Sequence, residues 1–390
     1  AAIVDRTGRR VDDGTHGGSV QQLVGHLDKA TAEDVKRLGP AYRKGDLIGR
    51  SGLQATFQKR LAGTPTTRIQ VVRTADGKTL RTLHTFPGKG GEPVEVTLDL
   101  AVQRAAADAV RTVEKPASLV AVRPSTGEIL AVANNKGGFN RALEGRYAPG
   151  STFKTVTAAG LLAAGVSADE TVTCPRYVTV GGLRVRNSEH AAYGTLSFTD
   201  AFARSCNTTF APLTVARLDA QDLYDIAGRF GFNQPLNIGV PAATASMPKA
   251  AGDAELAAES FGQCRITASP LVMATVAAAV AEGVWRPPTL VASIEQRARP
   301  RELPPGVARS LRAMMRAVVT RGTAAAAGLP EDTAGKTGTA EYGTGPELDS
   351  HAWFIGYTPR DLAFAVVVEG GGGGGAVAAP LAARFLRALG

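Results

Sequence analysis

The chain has 390 residues, of which 44% are hydrophobic and 20% are charged, proportions typical of folded rather than disordered proteins. This length predicts two domains, or one large domain with an appendage. The net charge is +9, and residues 1–95 contain sixteen basic and ten acidic residues, so we expect that part to favour an anionic surface such as lipid headgroups or wall polymer. A nucleic-acid partner is not expected, because no basic helix or aromatic-basic stripe accompanies this charge.

The sequence predicts neither a membrane span nor a metal cluster. The best candidate span, Leu271 to Trp285, is shorter than the roughly 18 apolar residues required and contains Glu282, so the chain as given is expected to be soluble. It starts at Ala1 without a methionine and resembles a trimmed chain, which leaves an anchor or export signal open. The cysteines are too few and too scattered for a zinc cluster, and they fit either one disulfide plus a free thiol or three buried thiols. They are Cys174, Cys206 and Cys264.

Residues 1–95 are polar and broken by glycine, and they predict a small domain of short elements. Asp76-Gly77 separates two runs that are rich in β-branched and apolar residues, which indicates a β-hairpin. The predicted elements are strands at residues 68–73 and 79–84, and helices at residues 33–38 and 53–61. The run from Gly88 to Gly91 and the proline that follows it break the pattern, and we therefore place a domain boundary after residue 95.

From residue 96 onward the pattern changes to longer strands and alanine-rich helices. Asp99 is a good N-cap for the first of these helices. The predicted elements are helices at residues 100–113 and 377–389, helical stretches through residues 151–285, and strands at residues 118–123, 128–133, 333–341, 352–357 and 362–368. Strands near both ends with helices between them predict an α+β domain over residues 96–390, in which an antiparallel sheet is flanked by helices and interrupted by a helical lobe.

Ser151 and Lys154 form the first of three candidate catalytic motifs. They follow the helix-breaking pair Pro149-Gly150 and begin a helical run, so both side chains are expected on one face of its first turn. A desolvated, neutral lysine in that position can take the serine proton and create a nucleophile. Ser-x-x-Lys is a weak signal by itself, because a helix start with a surface lysine is the commoner interpretation of the spacing.

Ser205 and Asn207 form the second motif, two residues apart in an apolar helical segment. A hydroxyl and an amide in this arrangement can relay a proton and hold a substrate amide. In isolation a helix cap is the commoner role of such residues.

The third motif, Lys336-Thr337-Gly338-Thr339, lies on a predicted strand. One cation and two hydroxyls can bind a carboxylate there, and the glycine lets a substrate approach the backbone. A phosphate-binding loop is rejected, because Pro330 stands where that loop requires glycine and a strand replaces the helix that should follow.

In chain order, Ser-x-x-Lys, Ser-x-Asn and Lys-Thr-Gly are together far more specific than any one of them, and the set resembles that of penicillin-binding proteins and β-lactamases. Further segments resemble landmarks of class B penicillin-binding proteins, the monofunctional D,D-transpeptidases, over nearly the whole chain. These segments are Gly49–Leu53, Thr97–Gln103, Pro124–Glu128, Tyr147–Gly150, Phe261–Gln263 with Ser269-Pro270, and Trp353–Tyr357. The resemblance implies a penicillin-binding transpeptidase fold over residues 96–390 and a small pedestal of the dimerisation type over residues 1–95. Cys264 departs from the family pattern, which has glycine after Phe-Gly-Gln.

The resemblance also implies roles for the first two motifs. Ser151 is the expected acylated nucleophile and Lys154 its general base. Ser205 is expected to relay the proton to the leaving group, and Asn207 to hold the substrate amide.

In the third motif, Lys336 is expected to supply positive charge. The resemblance implies that Thr337 and Thr339 bind the terminal carboxylate of the substrate beside Gly338. The backbone amides of Ser151 and Thr339 are expected to form the oxyanion hole.

The expected function is that of a serine D,D-transpeptidase that cross-links peptidoglycan stem peptides ending in D-Ala-D-Ala, is inhibited by β-lactam antibiotics and needs no cofactor. Three alternatives share the fold: a β-lactamase, a β-lactam sensor domain, and a D,D-carboxypeptidase or peptide cyclase. The missing Glu-x-x-Leu-Asn signature argues against the β-lactamase, and residues 1–95 argue against the sensor. The expected location is extracytoplasmic, with a membrane anchor in the full-length protein and membrane proteins of the divisome or elongasome as partners.

Other candidate residues are weaker. The histidines show no metal-binding spacing and are expected at the surface or in loops; they are His16, His26, His84, His190 and His351. Trp353 and Phe354 are expected in the core. Arg184, Arg186 and His190 lie in a predicted loop that can line a groove, but a solvated loop is the favoured interpretation.

Overall fold

The computed structural model describes residues 1–14, 17–343 and 348–390. Its chain divides into two compact units. The first comprises Ala1–Val96 with Val291–Ser293, and the second comprises Thr97–Leu290 with Ile294–Gly390. Within the described part of the chain, no helix combines the length and the hydrophobicity that crossing a bilayer requires.

The first unit consists of short helices and strands around a small core. Its elements in chain order are β1 (Ile3–Val4), α1 (Gly17–Val24), β2 (Leu27–Lys29), α2 (Ala32–Leu38), β3 (Leu47–Gly49), α3 (Gly52–Thr56), α4 (Gln58–Ala62), β4 (Thr67–Val72), β5 (Thr79–Phe86) and β6 (Val94–Glu95). Strand β1 pairs in parallel with β6, and β2 pairs antiparallel with β3. Ile3, Leu23, Ile48 and Leu53 are buried and form part of the core of this unit.

The hairpin β4–β5 is the longest paired element of the first unit, and all of its strand residues are exposed. The two strands pair antiparallel, and Gly77 in the turn has φ +69°, a conformation that glycine adopts without strain. The predicted hairpin is therefore confirmed. The single helix predicted at residues 53–61 is wrong, because the chain forms two short helices that meet at Phe57.

The second unit contains the remaining elements. Its helices are α5 (Leu100–Arg111), α6 (Arg141–Glu144), α7 (Lys154–Ala163), α8 (Phe198–Ala203), α9 (Asn207–Arg217), α10 (Ala220–Arg229), α11 (Asp253–Glu259), α12 (Pro270–Glu282), α13 (Val307–Arg321) and α14 (Ala378–Arg387). Its strands are β7 (Ala117–Val122), β8 (Ile129–Asn134), β9 (Thr171–Cys174), β10 (Tyr177–Val180), β11 (Leu183–Arg186), β12 (Gly194–Ser197), β13 (Val284–Trp285), β14 (Arg301–Glu302), β15 (Ala334–Tyr342), β16 (Asp349–Thr358) and β17 (Leu362–Val368).

A five-stranded antiparallel sheet in the order β15-β16-β17-β7-β8 forms the centre of the second unit. All residues of β7, β8 and β17 are buried, so both faces of the sheet are covered. Helix α12 packs against β17, β16 and β7, whereas α5 and α14 pack against each other and against the sheet. Strand β15 lies at one edge, where α13 and a 3₁₀ turn at Gly150–Phe153 pack against it.

The predicted α+β architecture is confirmed, including the antiparallel sheet and the helical lobe between its strands. Asp99 caps α5 by accepting hydrogen bonds from the backbone N–H groups of Ala101 and Val102, as its sequence position predicts. The apolar run considered as a membrane span is a core helix, since α12 is buried from Pro270 to Val280. The antiparallel strand pairs β9–β12 and β10–β11 within the lobe were not predicted, and neither was α13.

Candidate active site

Ser151 lies where a sharp turn enters α7. Gly150 has φ +52°, and a Cβ atom on it would lie 2.7 Å from the carbonyl oxygen of Thr339, so glycine is needed for this approach to β15. Ser151 lies in the 3₁₀ turn and Lys154 is the first residue of α7, whereas the sequence predicted Ser151 within the first α-helical turn. The two side chains still meet, with Lys154 Nζ 2.9 Å from Ser151 Oγ.

Lys154 is fully buried and is therefore not a surface lysine. Its Nζ atom lies 2.8 Å from the carbonyl oxygen of Ser205 and 3.2 Å from Ser205 Oγ, and it also contacts Asn207 Oδ1. Burial lowers the pKa of Lys154 well below its ordinary value, and the positive charge of Lys336 lowers it further. A lysine with a lowered pKa is neutral in a larger fraction of molecules and can then accept the Ser151 proton.

Ser205 connects α8 to α9 in a left-handed conformation, with φ +60°, which is uncommon for a residue that has a Cβ atom. This conformation directs both its carbonyl oxygen and its hydroxyl toward Lys154 Nζ. Lys336 Nζ donates to the same hydroxyl at 3.0 Å. Ser205 Oγ therefore lies between two lysine amines, a position suited to proton relay.

Asn207 is the first residue of α9. Its Oδ1 atom accepts a hydrogen bond from Lys154, and its Nδ2 atom donates to the carbonyl oxygen of Arg186 at 2.9 Å. The asparagine thus links the first motif to strand β11.

A disulfide between Cys174 and Cys206 holds the second motif in place. Cys206 lies between the two motif residues in sequence, Cys174 ends β9, and both are buried. The buried Asn187 reinforces the same region, because its Nδ2 atom donates to the carbonyl oxygen of Pro175 and to Thr208 Oγ1, each at 3.0 Å. Of the two cysteine arrangements that the sequence left open, the structure has one disulfide and one free thiol.

Lys336 is fully buried on β15. Its Nζ atom donates to the carbonyl oxygen of Thr337 at 3.0 Å in addition to Ser205 Oγ. Burial lowers the pKa of Lys336 to about 7. Two buried amines with lowered pKa values therefore share one serine hydroxyl.

The two threonines of the third motif are held by neighbouring loops. Thr337 Oγ1 lies 2.5 Å from Thr323 Oγ1, and Thr339 Oγ1 accepts a hydrogen bond from the backbone N–H of Gly374 at 3.4 Å. A Cβ atom on Gly338 would lie 2.9 Å from the Thr152 side chain, so the glycine lets β15 approach the turn that contains Ser151.

A groove with a volume of about 540 Å³ runs past all three motifs. The motif residues that line it are Ser151, Asn207 and Thr339. Arg184 and Arg186 of β11 line it from one side, and Glu341 of β15 lines it from the other. The interpretation of Arg184 and Arg186 as part of a solvated loop is therefore wrong, because both lie on a strand and face the groove.

The remaining candidates divide between core and surface. Trp353 and Phe354 are fully buried, as predicted. His351 is half-buried on β16 and stacks on Tyr342 with a ring-centre distance of 4.1 Å, so its assignment to the surface or a loop is wrong. His26, His84 and His190 are exposed, whereas His16 lies outside the described residues. No group of three metal-ligating side chains occurs in residues 1–14, 17–343 and 348–390.

Cys264 is exposed and adopts a left-handed conformation with φ +69°. Glycine adopts this conformation without cost, whereas a residue with a Cβ atom is strained by roughly 1 kcal/mol. This geometry explains why glycine is expected at the position after Phe-Gly-Gln.

Glu259, the last residue of α11, is fully buried, and within the described part of the chain neither of its carboxylate oxygens has a hydrogen-bond partner. Burial raises the pKa of Glu259 to about 7; the positive charge of Arg265 opposes the rise and the negative charge of Glu255 adds to it. Nothing in the sequence distinguished this glutamate from a surface residue.

No sequence motif marks Thr323 or Asn187, although both contact residues of the site. Thr323 precedes β15 by eleven residues and belongs to no motif, and only its contact with Thr337 connects it to the site. Asn187 follows the two groove-lining arginines, and its burial next to the disulfide has no local sequence signal.

Two family models match the chain. The model described as the penicillin binding protein transpeptidase domain matches residues 117–387. The model described as the penicillin-binding protein dimerisation domain matches residues 3–96. Together the two matches span most of the chain.

Individual proteins are similar over most of their length. Peptidoglycan D,D-transpeptidase PbpA of Mycobacterium tuberculosis (strain H37Rv) is 30% identical over 351 residues, which cover 75% of this chain and 70% of the relative. The structure of penicillin-binding protein A from M. tuberculosis as a ceftriaxone acyl-enzyme complex has a TM-score of 0.70 and 29% identity, over 77% of this chain and 80% of that one. A structure from work on the coordination of polymerization and crosslinking by a peptidoglycan synthase complex has a TM-score of 0.82 and 27% identity, over 94% of this chain and 74% of that one.

Proposed function

The chain belongs to the penicillin-binding protein transpeptidase family, and on that premise we propose that it is a class B serine D,D-transpeptidase that cross-links peptidoglycan stem peptides. The observation that carries the proposal is the pairing of Lys154 with Ser151. A fully buried amine, repelled by a second buried amine, lies 2.9 Å from a hydroxyl that lines a groove. This arrangement is suited to remove the serine proton at the moment of attack.

In the acylation step, Ser151 Oγ attacks the carbonyl carbon of the penultimate D-Ala of a donor stem, and its proton passes to Lys154 Nζ. The backbone N–H groups of Ser151 and Thr339 donate to the oxyanion of the tetrahedral intermediate. The carbon–nitrogen bond to the terminal D-Ala then breaks, and the proton reaches the departing amine from Lys154 through Ser205 Oγ. D-Ala leaves, and an ester joins the stem to Ser151.

In the second step, an amine of an acceptor stem attacks the ester carbonyl. Lys154 takes a proton from the attacking amine and returns one to Ser151 Oγ as the ester bond breaks, so the serine is regenerated and an amide cross-link remains. Throughout, Lys336 supplies positive charge, Thr337 and Thr339 hold the terminal carboxylate of the donor, and Asn207 holds its amide. A β-lactam presents a similar amide and carboxylate and acylates Ser151 in the same way.

We also propose that residues 1–95 form a pedestal for a transpeptidase domain at residues 96–390. The match of residues 3–96 to a dimerisation domain supports this assignment. The full-length protein would be held outside the cytoplasm by a membrane anchor, as befits an enzyme whose substrate is the cell wall. Membrane proteins of the elongation or division machinery are the proposed partners, and the similarity to a structure of a peptidoglycan synthase complex supports them.

The test is mass spectrometry of the protein after incubation with benzylpenicillin. One penicilloyl adduct is expected, on the peptide that contains Ser151, and it is expected to be absent from Ser151→Ala. An adduct that persists in Ser151→Ala would overturn the proposal. Rapid hydrolysis of a chromogenic cephalosporin would instead favour the β-lactamase alternative.

A further inference from the structure

The groove continues along β15 beyond the catalytic motifs. Because β15 is an edge strand of the sheet, its free side can pair with an extended peptide. A donor stem with its terminal carboxylate at Thr337 and Thr339 and its reacting carbonyl at Ser151 runs antiparallel to β15, toward Glu341. At about 3.3 Å per residue, Glu341 lies roughly 7 Å beyond Thr339 along the strand, within reach of a long side chain on the stem residue that precedes D-Ala-D-Ala.

An ion pair that includes Glu341 spans the groove at this position along β15. Arg186 Nη2 of β11 lies 3.2 Å from Glu341 Oε1 of β15, and both side chains are about half exposed, at 47% and 46%. Both residues line the same groove as Ser151. The backbone of Arg186 is fixed, because its carbonyl oxygen accepts a hydrogen bond from Asn207 Nδ2. A residue of the catalytic centre therefore positions the backbone from which the Arg186 side chain extends.

The pair can exchange its mutual contact for contacts with a ligand. Each partner keeps about half of its surface in solvent, so an exposed pair of this kind contributes little to folding. A guanidinium group binds a carboxylate with two hydrogen bonds, and a carboxylate binds an ammonium group. A ligand that carries both groups, a few ångströms apart, satisfies both residues at once, whereas a ligand with one charge leaves the other residue without its partner.

We propose that Arg186 and Glu341 form a subsite for the stem residue that precedes D-Ala-D-Ala, and that the subsite selects a side chain ending in both an ammonium and a carboxylate group. Diaminopimelate has such a side chain, whereas lysine ends in an ammonium group only. The inference rests on the proposed transpeptidase function and specifies its donor substrate. Arg184 lies two residues before Arg186 on the same strand. Its guanidinium carbon lies 4.4 Å from the ring centre of Tyr177, so this arginine already contacts an aromatic ring.

The test measures how well three peptides protect Ser151 from benzylpenicillin. The peptides end in D-Ala-D-Ala and differ only in the preceding residue, which is meso-diaminopimelate, L-lysine or L-2-aminopimelate; the last ends in a carboxylate group only. The readout is the peptide concentration that halves the rate of penicillin labelling. We expect the diaminopimelate peptide to be effective at about a tenfold lower concentration than the other two, the difference of a single well-formed charged contact.

Variants of Arg186 and Glu341 test separately how each charge contributes to peptide binding. Arg186→Gln is expected to abolish the advantage of the diaminopimelate peptide over the lysine peptide, and Arg186→Lys to retain part of it. Glu341→Gln is expected to abolish the advantage of the diaminopimelate peptide over the 2-aminopimelate peptide. Arg217→Gln is the matched control, because Arg217 pairs with Glu170 at 3.4 Å with similar exposure and does not line the groove.

Equal protection by the three peptides in the unaltered protein would overturn the subsite, as would an equal effect of Arg217→Gln on the ratios. Failure of the proposed function has a different signature, since penicillin would then not label Ser151 in the absence of any peptide.

Discussion

The two walls of the active-site groove are held in different ways. On the sheet wall, Lys336 and Thr339 belong to β15, which pairs with β16 over nine residues. On the helical wall, Ser205 lies in a connection between two helices and has a left-handed backbone conformation. The Cys174–Cys206 disulfide holds this connection to β9.

The difference shows where a catalytic group needs extra support. The hydrogen-bond ladder with β16 fixes the position of every residue along β15, so the backbone of the sheet wall requires no covalent restraint. A connection between helices has no such ladder, and its position depends on side-chain contacts and covalent bonds. The positions of the catalytic side chains on the helical wall therefore depend on a few residues that substitution can remove. The following variants test this view.

The largest effect is expected on the helical wall for Lys154→Ala. Lys154 Nζ lies within hydrogen-bond distance of Ser151 Oγ, and without this base the rate of penicillin acylation should fall about 1,000-fold. The rate is measured by mass spectrometry over a time course. Lys249→Ala is the control, because Lys249 is exposed and its amine faces the ring of Tyr224. An acylation rate within tenfold of the unaltered protein would show that Ser151 has another base.

The double variant Cys174→Ala/Cys206→Ala removes the covalent support. Opening a loop with a sequence separation of 32 residues should lower the free energy of unfolding by about 3–4 kcal/mol. Acylation should slow about tenfold, because Ser205 and Asn207 lose their fixed positions. Denaturant titration and acylation kinetics measure the two effects, with Cys264→Ala as the control. A loss of stability with an unchanged acylation rate would mean that packing alone positions the second motif.

Glu259→Gln tests a buried group behind the helical wall. Since folding raises the pKa of Glu259 from 4.5 to about 7, the folded protein binds more protons than the unfolded protein between these values, and its stability should fall as the pH rises through this range. The variant should lack this loss and be more stable by about 2 kcal/mol near neutral pH. Denaturant titrations on either side of the range measure the difference. Glu255→Gln should act in the opposite direction, because hydrogen bonding lowers the pKa of Glu255.

Lys336→Met tests the coupling between the walls. Burial is the main cause of the lowered pKa of Lys154, and the positive charge of Lys336 is the second. Removing that charge should raise the pKa of Lys154 and move the pH dependence of acylation toward higher pH. The acylation rate as a function of pH gives the shift. A shift toward lower pH would show that the two amines do not interact as the structure indicates.

The sequence predicted the sheet wall better than the helical wall. The strand predicted at residues 333–341 differs from β15 by one residue at each end, because a short segment with β-branched threonines indicates a strand from nearby residues alone. The three motifs also marked the residues that converge on the groove.

Features of the helical wall depend on contacts between distant residues and were not predictable in the same way. The pairing of Cys174 with Cys206 has no spacing rule. The left-handed conformation of Ser205 requires the fold around it, because an isolated serine does not favour it. Arg186 and Glu341 are 155 residues apart in sequence, and only the folded chain shows that they face each other across the groove.

The free thiol of Cys264 allows ligand binding in this groove to be monitored with a fluorescent label. The other two cysteines are buried in a disulfide, so a maleimide dye should attach to Cys264 alone without any engineering of the chain. Its neighbour Gln263 lines the groove. A fluorophore at this position would therefore sit beside the entering peptide or antibiotic, and its emission would report occupancy in real time.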